Sequence, residues 1–274
     1  MKLLILSVEP QIEIRRIVLE ARKRAHVVTF RILKRGLKIY PKKFDIVLFR
    51  AIEGKVLMAE RIAERFVKAG KVVVDEKISL RIDRNKLENY RIFGKKHLFV
   101  PMTVLFKKEN LEKIKKFKSD FIVLKPIFGK RGRGIRRVRK EKIEKYLKKF
   151  VEKDFIAQEF VDIQNEYRVY VVGDKYEGVM EKISDSWLHN INQGAEPKRA
   201  RIPGSVKRIS VRAAKSVATE IAGIDVGVSK RGLFIIEVNR SPGFKAFESL
   251  GYNFAEKIVS YLEEKAKQVI DKTP

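Results

Sequence analysis

The chain has 274 residues, no cysteine, and 62 Lys+Arg against 34 Asp+Glu, a formal net charge of +28. This length can bury one large core or two to three lobes. The lack of cysteine excludes disulfides, thiol catalysis and thiolate metal sites, and no run of 18 apolar residues offers a helical membrane span. His26, His97 and His189 are far apart and show no ligand spacing, and the apolar run Leu3 to Val8 is too short for a signal sequence; a soluble cytoplasmic protein is the expectation. Thermal adaptation enriches Lys and Glu together, whereas the excess here is positive. It points to a polyanionic partner: a nucleotide, a nucleic acid, or an acidic small molecule or protein tail. The excess is concentrated between Lys107 and Lys153, where 19 Lys+Arg face 6 Asp+Glu.

In chain order, residues 2–8 read as a buried strand and 11–24 as a helix with Ile14, Val18 and Ala21 on one face. Strands follow at 27–32 and 45–49, then a helix at 56–68 stopped by Gly70, then a strand at 72–74. This β-α-β-β-α-β order predicts a small, mostly parallel α/β lobe. It has no Gly-x-Gly-x-x-Gly turn after its first strand, so it reads as a scaffold or substrate-orienting lobe. A polar connection at 75–84 leads to a helix at 85–94, an extended segment at 101–103 and a basic helix at 111–117. An apolar strand at 121–124 ends at Lys125-Pro126, followed by a glycine loop, a strand at 135–138 and a Lys-rich helix at 141–150. Residues 154–161 form a further strand, and 167–172 with 176–180 form a hairpin around Gly173-Asp174. A loop at 184–204, a helix at 210–222, a second hairpin and a helix at 253–270 capped by Asn253 complete the chain.

The second hairpin, Gly223 to Gly243, carries the sharpest chemistry. With its turn centred on Arg231, Asp225 falls opposite Glu237, and Asn239 shares a strand face with Glu237. Opposed residues of this kind have Cβ atoms roughly 4.5–5.5 Å apart. Two carboxylates that close repel unless a cation lies between them, and three oxygen ligands without His or Cys suit a hard ion such as Mg²⁺. Taken alone, the same residues fit a solvated hairpin with two scattered acids equally well.

Gly129, Gly132 and Gly134 form a glycine-rich loop between two strands, where backbone N–H groups can approach phosphates. Lys125 ends the preceding apolar strand, and Lys130, Arg131 and Arg133 add charge to the loop itself. The loop reads as a flap over a triphosphate; a basic solvated hairpin is the alternative.

Together, Lys125-Pro126 with the glycine loop, Gln158-Glu159-Phe160-Val161, Arg168-x-x-Val-Val-Gly, Asn190-x-x-Gln-Gly, and Asp225 followed by Glu237-Val-Asn-x-Ser-Pro-Gly resemble the ATP-grasp superfamily. Within it the series is similar to RimK-like carboxylate–amine ligases of the α-L-glutamate ligase type, over residues 2 to 262. The resemblance implies an ATP-grasp fold of the α/β class with an N-terminal parallel α/β domain. It divides the chain into an N-terminal domain at 1–80, a central subdomain with the flap at 81–156, and a C-terminal subdomain with a metal site at 157–274.

Carried over by position, the resemblance places Lys86 and Lys125 on the nucleotide, with Gly129, Lys130, Gly132 and Gly134 as the flap. Gln158, Glu159, Phe160 and Val161 match the hinge whose backbone reads the adenine, and Glu166 the acid near the ribose. Arg168 and Asn190 match positions at the phosphate and substrate end, Asp225, Glu237 and Asn239 the ligands of Mg²⁺ (or Mn²⁺), and Ser241-Pro242-Gly243 a wall of the acceptor pocket. The implied reaction is ATP-dependent: a carboxylate becomes an acyl phosphate, and an amine, with glutamate the expected amino acid, displaces phosphate. The expected partners are ATP, an amino acid and an acidic acceptor; there is room for a homo-oligomer, and none for a membrane span.

Three departures leave the acceptor open: Lys130 where the family often has Ser, Leu188 where RimK often has Arg, and Gln193-Gly194-Ala195 for Arg-Gly-Gly. Individual residues also have ordinary readings. Lys86 could be a solvated helix lysine, Arg168 a structural partner of a carboxylate, and Tyr167, Phe160 and Trp187 packing groups. No residue stands out as a base for the amine. The alternative functions are a ligase for another amino acid on an acidic carrier protein, and an RNA-associated basic protein on the same scaffold. The basic residues are not interleaved with aromatics as a stacking platform, which disfavours RNA.

Overall fold

The computed structural model describes residues 1–75, 85–129, 132–150, 154–188, 191 and 194–270. The first part of the chain runs β1 (Lys2–Ser7), α1 (Ile12–Lys23), β2 (Val27–Ile32), β3 (Ile46–Phe49), α2 (Val56–Lys68) and β4 (Val72–Val74). Next come α3 (Lys86–Lys95), β5 (Thr103–Leu105), α4 (Leu111–Lys115), β6 (Phe121–Pro126), β7 (Arg136–Arg139), α5 (Ile143–Phe150) and β8 (Phe155–Glu159). The last part runs β9 (Asn165–Val172), β10 (Lys175–Ile183), β11 (Glu196–Arg199), α6 (Gly204–Ser216), β12 (Ile221–Ser229), β13 (Gly232–Asn239), α7 (Lys245–Glu248) and α8 (Phe254–Ile270).

The strands form three sheets. β1 to β4 are all parallel, in the order β2-β1-β3-β4. Their continuous apolar runs are what a parallel sheet covered on both faces needs. Leu4, Leu6, Val47 and Phe49 pack on α2 through Ile62 and Phe66. The alternate residues Leu3, Ile5 and Leu48 meet α1 and α8. That second layer also holds Tyr170, Val172 and Met180 of the largest sheet, so α1 and α8 are packed between two sheets. The other two sheets are antiparallel: β5-β8-β6-β7, backed by α4 and α5, and β11-β10-β9-β12-β13, backed by α3 and α6. Asp75, buried at the end of β4, accepts hydrogen bonds from the Glu220 amide (2.8 Å) and the Thr219 hydroxyl (3.1 Å), tying the parallel sheet to the start of β12. No helix among the described residues is long and apolar enough to cross a membrane.

Most element expectations hold, including the Asn253 cap, whose Oδ1 accepts from Glu256 N at 3.1 Å. Two fail for a shared reason. The helix expected at 210–222 lies at 204–216, because Ile221 and Ala222 pair with Val172 and Val171 of β9. The loop expected at 184–204 contains β11, an edge strand that tolerates Pro197 because only one of its sides is paired. In both cases long-range strand pairing overrides the local pattern.

Gly178 sits in β10 at φ +152°, and a Cβ there would lie 2.5 Å from Phe247 Cζ and 2.9 Å from Tyr252 Cε1. Phe247 stacks between Tyr252 and Tyr170, at centroid distances of 4.0 and 4.1 Å. Gly178→Ala should therefore destabilise the protein by about 1–3 kcal/mol through overpacking. A lowered urea midpoint with an unchanged m-value is the expected result; an unchanged midpoint would count against this packing.

Candidate active site

The site begins with strand register. Arg168 of β9 pairs directly with Asp225 of β12, and Asp225 pairs with Glu237 of β13. The opposition of the two acids comes about differently from the symmetric turn. The turn is the two-residue Lys230-Arg231, since Ser229 pairs with Gly232, and a bulge at Ile236 shifts the register by one. Ile235, on the turn side of the bulge, is buried in the core, and the unpaired Ile236 lines the cleft.

Asp225 is buried. Its Oδ1 and Oδ2 accept from Arg168 Nε and Nη2, both at 2.7 Å, and Lys182 Nζ lies 3.3 Å from Oδ2. Lys182 also pairs with Glu166. Burial alone would raise the Asp225 carboxyl, but Arg168 and Lys182 outweigh it and hold the group at about 2. Burial likewise opposes the charge of Arg168, and Asp225 reverses that, so the guanidinium is held more firmly protonated than usual. Lys182 escaped the sequence reading because the expected strand stopped at Met180. Alternation extended two residues further would have put it on the face of Arg168.

Lys86 opens α3 next to its cap Asn85, whose side chain accepts from Glu88 N. Its Nζ donates to Gly129 O at 3.0 Å and lies 3.9 Å from Glu237 Oε1, joining the start of the glycine loop to the hairpin. Lys125 is buried at the end of β6, with Nζ 6.0 Å from the Tyr90 ring centre. Tyr90 in turn donates to Ile236 O at 2.5 Å. Gly134, at φ +77°, could not carry a Cβ without coming within 2.9 Å of Pro126.

These groups face one cleft of about 410 Å³. Lys86, Lys125, Gly129, Gly132, Arg133 and Ile135 line one side. Glu166, Arg168, Lys182, Asp225, Glu237 and Asn239 form the sheet wall, and Ser241-Pro242-Gly243 continues it. Glu9 and Glu53, from the loops after β1 and β3, and Glu13, from the first turn of α1, close the end formed by the parallel sheet, and the sequence alone singled out none of them. Ser241 Oγ accepts from Ala51 N (3.0 Å), and Pro242 O accepts from the buried Arg50 (2.8 Å), fixing that end.

The donor set suits a hard cation. Asp225, Glu237 and Asn239 share a wall, and the buried Nδ2 of Asn239 has no hydrogen-bond partner among the described residues. An amide can be turned over to present its oxygen there. No three His, Cys, Asp or Glu side chains cluster among the described residues. Two carboxylates and one amide are nonetheless enough for Mg²⁺, which keeps several waters and takes substrate phosphates as ligands.

The side chains of the expected hinge residues are engaged with other parts of the chain. Gln158, Glu159, Phe160 and Val161 do not line the cleft. Gln158 donates to Thr103 Oγ1 at 2.8 Å. The carboxylate of Glu159 accepts from Lys118 N and pairs with Arg231 Nη1, both at 3.0 Å. Its amide donates to Met102 O. Val161 is buried, and Phe160 meets Phe121 and Trp187 edge-on, with the Arg137 guanidinium about 5 Å from all three rings. Trp187 and Phe160 are thus packing groups. Lys130 and Asn190 lie outside the described residues.

Residues 83–262 match the RimK-like ATP-grasp domain. Over 236 residues the chain is 30% identical to a probable alpha-L-glutamate ligase of Cellvibrio japonicus, covering 82% of this chain and 78% of that protein. It is 31% identical over 178 residues to the tetrahydromethanopterin:alpha-L-glutamate ligase of Methanococcus maripaludis, covering 60% and 61% of the two chains. The fold matches that of the ATP-grasp ligase PsnB complexed with minimal precursor, Mg and ADP, with a TM-score of 0.76 and 17% identity over 97% of this chain and 98% of that one.

Asp225 is depressed, so the stability it contributes is complete above its ordinary range near pH 4 and is lost as pH falls toward about 2. Asp225→Asn should flatten the acid-denaturation profile in that window. It should also lower stability at neutral pH by about 3–5 kcal/mol, because Arg168 and Lys182 lose their counter-charge. An unaltered acid limb in the variant would overturn this assignment.

Proposed function

The chain belongs to the RimK-like ATP-grasp family of ligases, and we propose that it joins a carboxylate to the amine of an amino acid, with glutamate the favoured amino acid. The observation that carries this reading is the convergence of Lys86, Lys125, Arg168 and the opposed pair Asp225/Glu237 on one cleft. The names of the relatives support glutamate. The three parts of the chain, 1–80, 81–156 and 157–274, would then act as a substrate-orienting lobe, a flap-bearing lobe and a metal-bearing lobe.

In the first step an oxygen of the substrate carboxylate attacks the γ-phosphorus of ATP. The bond to the β-phosphate oxygen breaks, ADP leaves, and an acyl phosphate forms. In the second step the amine nitrogen attacks the acyl carbon, the carbon–oxygen bond to phosphate breaks, and the nitrogen gives up its proton. Phosphoryl transfer of this kind depends chiefly on positioning and charge neutralisation. Lys86 and Lys125 supply positive charge where the phosphates would lie, and Arg168 adds a fixed guanidinium behind Asp225. The loop from Gly129 to Gly134 would shield the acyl phosphate from water. Mg²⁺ held by Asp225, Glu237 and Asn239 would supply Lewis acidity and a template for the phosphates. Gln158 to Val161 would contribute through backbone groups, since their side chains are committed to packing.

A screen of ADP release with Mg-ATP over amino acids and acidic acceptors, read by mass spectrometry, tests the reading. A product increment of glutamyl size is expected, and release that no amine stimulates would overturn it. Lys125→Ala should remove charge-assisted bonds worth about 1.5–3 kcal/mol, a loss of about 10–100-fold in turnover; near-normal turnover would remove Lys125 from the site. Glu237→Gln should abolish turnover at ordinary Mg²⁺ while leaving the fold intact, and retained activity would count against the hairpin as the metal site.

A further inference from the structure

The two carboxylates that the cleft offers to a cation are not equivalent. The Glu237 side chain is 41% exposed, and Lys86 Nζ lies 3.9 Å from its Oε1. The Asp225 side chain is 5% exposed, and three donors among the described residues hold it. The way those donors are divided between Oδ1 and Oδ2 limits what Asp225 can still bind.

An ionised carboxylate has about four lone pairs, two on each oxygen. Arg168 lays its fork across both oxygens, with Nε on Oδ1 and Nη2 on Oδ2, each at 2.7 Å. A contact of this kind uses one lone pair of each oxygen, the same two that would have to close on a chelated ion. Lys182 Nζ, 3.3 Å from Oδ2, takes the second lone pair of that oxygen. Among the described residues this leaves one lone pair, on Oδ1.

Both donors are held in place. Lys182 is buried, and its ammonium is shared with Glu166. Arg168 lies within β9 with Asp225 as its direct cross-strand neighbour. Its stem passes Gly223, where an added Cβ would lie 3.6 Å from Arg168 Cδ and 2.8 Å from Pro242 Cβ. Backbone pairing and close packing therefore set the guanidinium against the carboxylate.

Coordination chemistry turns this count into a preference. Ca²⁺ takes about six to eight oxygens in a flexible shell and accepts carboxylates through one or both oxygens. Mg²⁺ demands a near-ideal octahedron, for which a chelating carboxylate has too narrow a bite. We propose that Arg168 and Lys182 confine Asp225 to ligation through the remaining lone pair of Oδ1, and so select Mg²⁺ over Ca²⁺ at the sheet wall. This rests on the metal site of the ligase reading above and names the residues that set its ion preference. Lys182 is a positioning residue, because it acts on the cation only through Asp225. Charge alone would not discriminate, since a cationic side chain near the site repels two divalent ions alike.

The test uses the full chain, Mn²⁺ as the probe, and an ATP analogue whose β–γ bridge cannot be cleaved. Electron paramagnetic resonance reads bound Mn²⁺ while Mg²⁺ or Ca²⁺ displaces it. Lys182→Met and Arg168→Lys should each shift the competition ratio toward Ca²⁺ by about tenfold. Lys182→Arg keeps a donor on Oδ2 and should retain the ratio of the unaltered protein. Lys86→Met removes a charge beside Glu237 without touching Asp225, so the ratio should stay the same while the affinity for both ions changes. A ratio that Lys182→Met and Arg168→Lys leave unmoved overturns the proposal, as does an equal shift in Lys86→Met. Infrared spectra of the unaltered protein with isotope-labelled aspartate read the ligation directly. The aspartate that responds to Mg²⁺ with the analogue should show the wide separation of carboxylate stretches that one-oxygen ligation produces; the narrow separation of a chelate overturns the proposal. No acceptor enters these measurements. A selective site in a protein whose ADP release no amine stimulates keeps this inference and removes the ligase reading, and an unmoved ratio with glutamate-stimulated release does the reverse.

Discussion

Everything at the cleft depends on a buried charge network on one face of the largest sheet. Glu166, Arg168, Lys182 and Asp225 are two acids and two bases, with Lys182 and Asp225 buried and Glu166 and Arg168 reaching the cleft. Removing ions from water costs several kcal/mol each, which mutual attraction offsets only when the geometry is good. Here it is good: Arg168 grips Asp225 with two bonds of 2.7 Å, and Lys182 bridges Asp225 to Glu166. Such a network contributes position more than stability. It fixes an ionised Asp225 in the sheet wall, opposite Glu237 in register.

The network exists because of backbone register, and the register depends on one irregularity. Without the bulge at Ile236, the pairing set by the two-residue turn would place Ile236 opposite Asp225 and leave Glu237 one residue out of step. Since strand side chains alternate between faces, a one-residue slip would move Glu237 to the opposite face. Ile235 stays in the core opposite Val226, and Ile236, the extra residue, lines the cleft. A feature costing one ladder position thereby brings the second carboxylate to the cleft, where Lys86 meets it from α3.

This explains what could be read in the sequence. Alternating and 3.6-periodic apolar patterns are local, so the parallel sheet, the central antiparallel strands and the terminal helix were all legible. The pairing of Asp225 with Glu237 was legible as well, although through a symmetric turn rather than the bulge that produces it. Lys182 was not, because Lys and Ile at a strand end read equally as the start of a loop. The commitments of Glu159 were hidden for another reason: its partners Lys118 and Arg231 lie 41 and 72 residues away. The position of α6 failed likewise, since only pairing with β9 shows that Ile221 and Ala222 are strand.

The distribution of charge links the cleft to the rest of the molecule. The described lining of the cleft is balanced in charge, with Glu9, Glu13 and Glu53 at one end and Lys86, Lys125 and Arg133 on another side. The excess on β7, on α6 and beside α2 lies outside the cleft, and its field at longer range weakens with ionic strength.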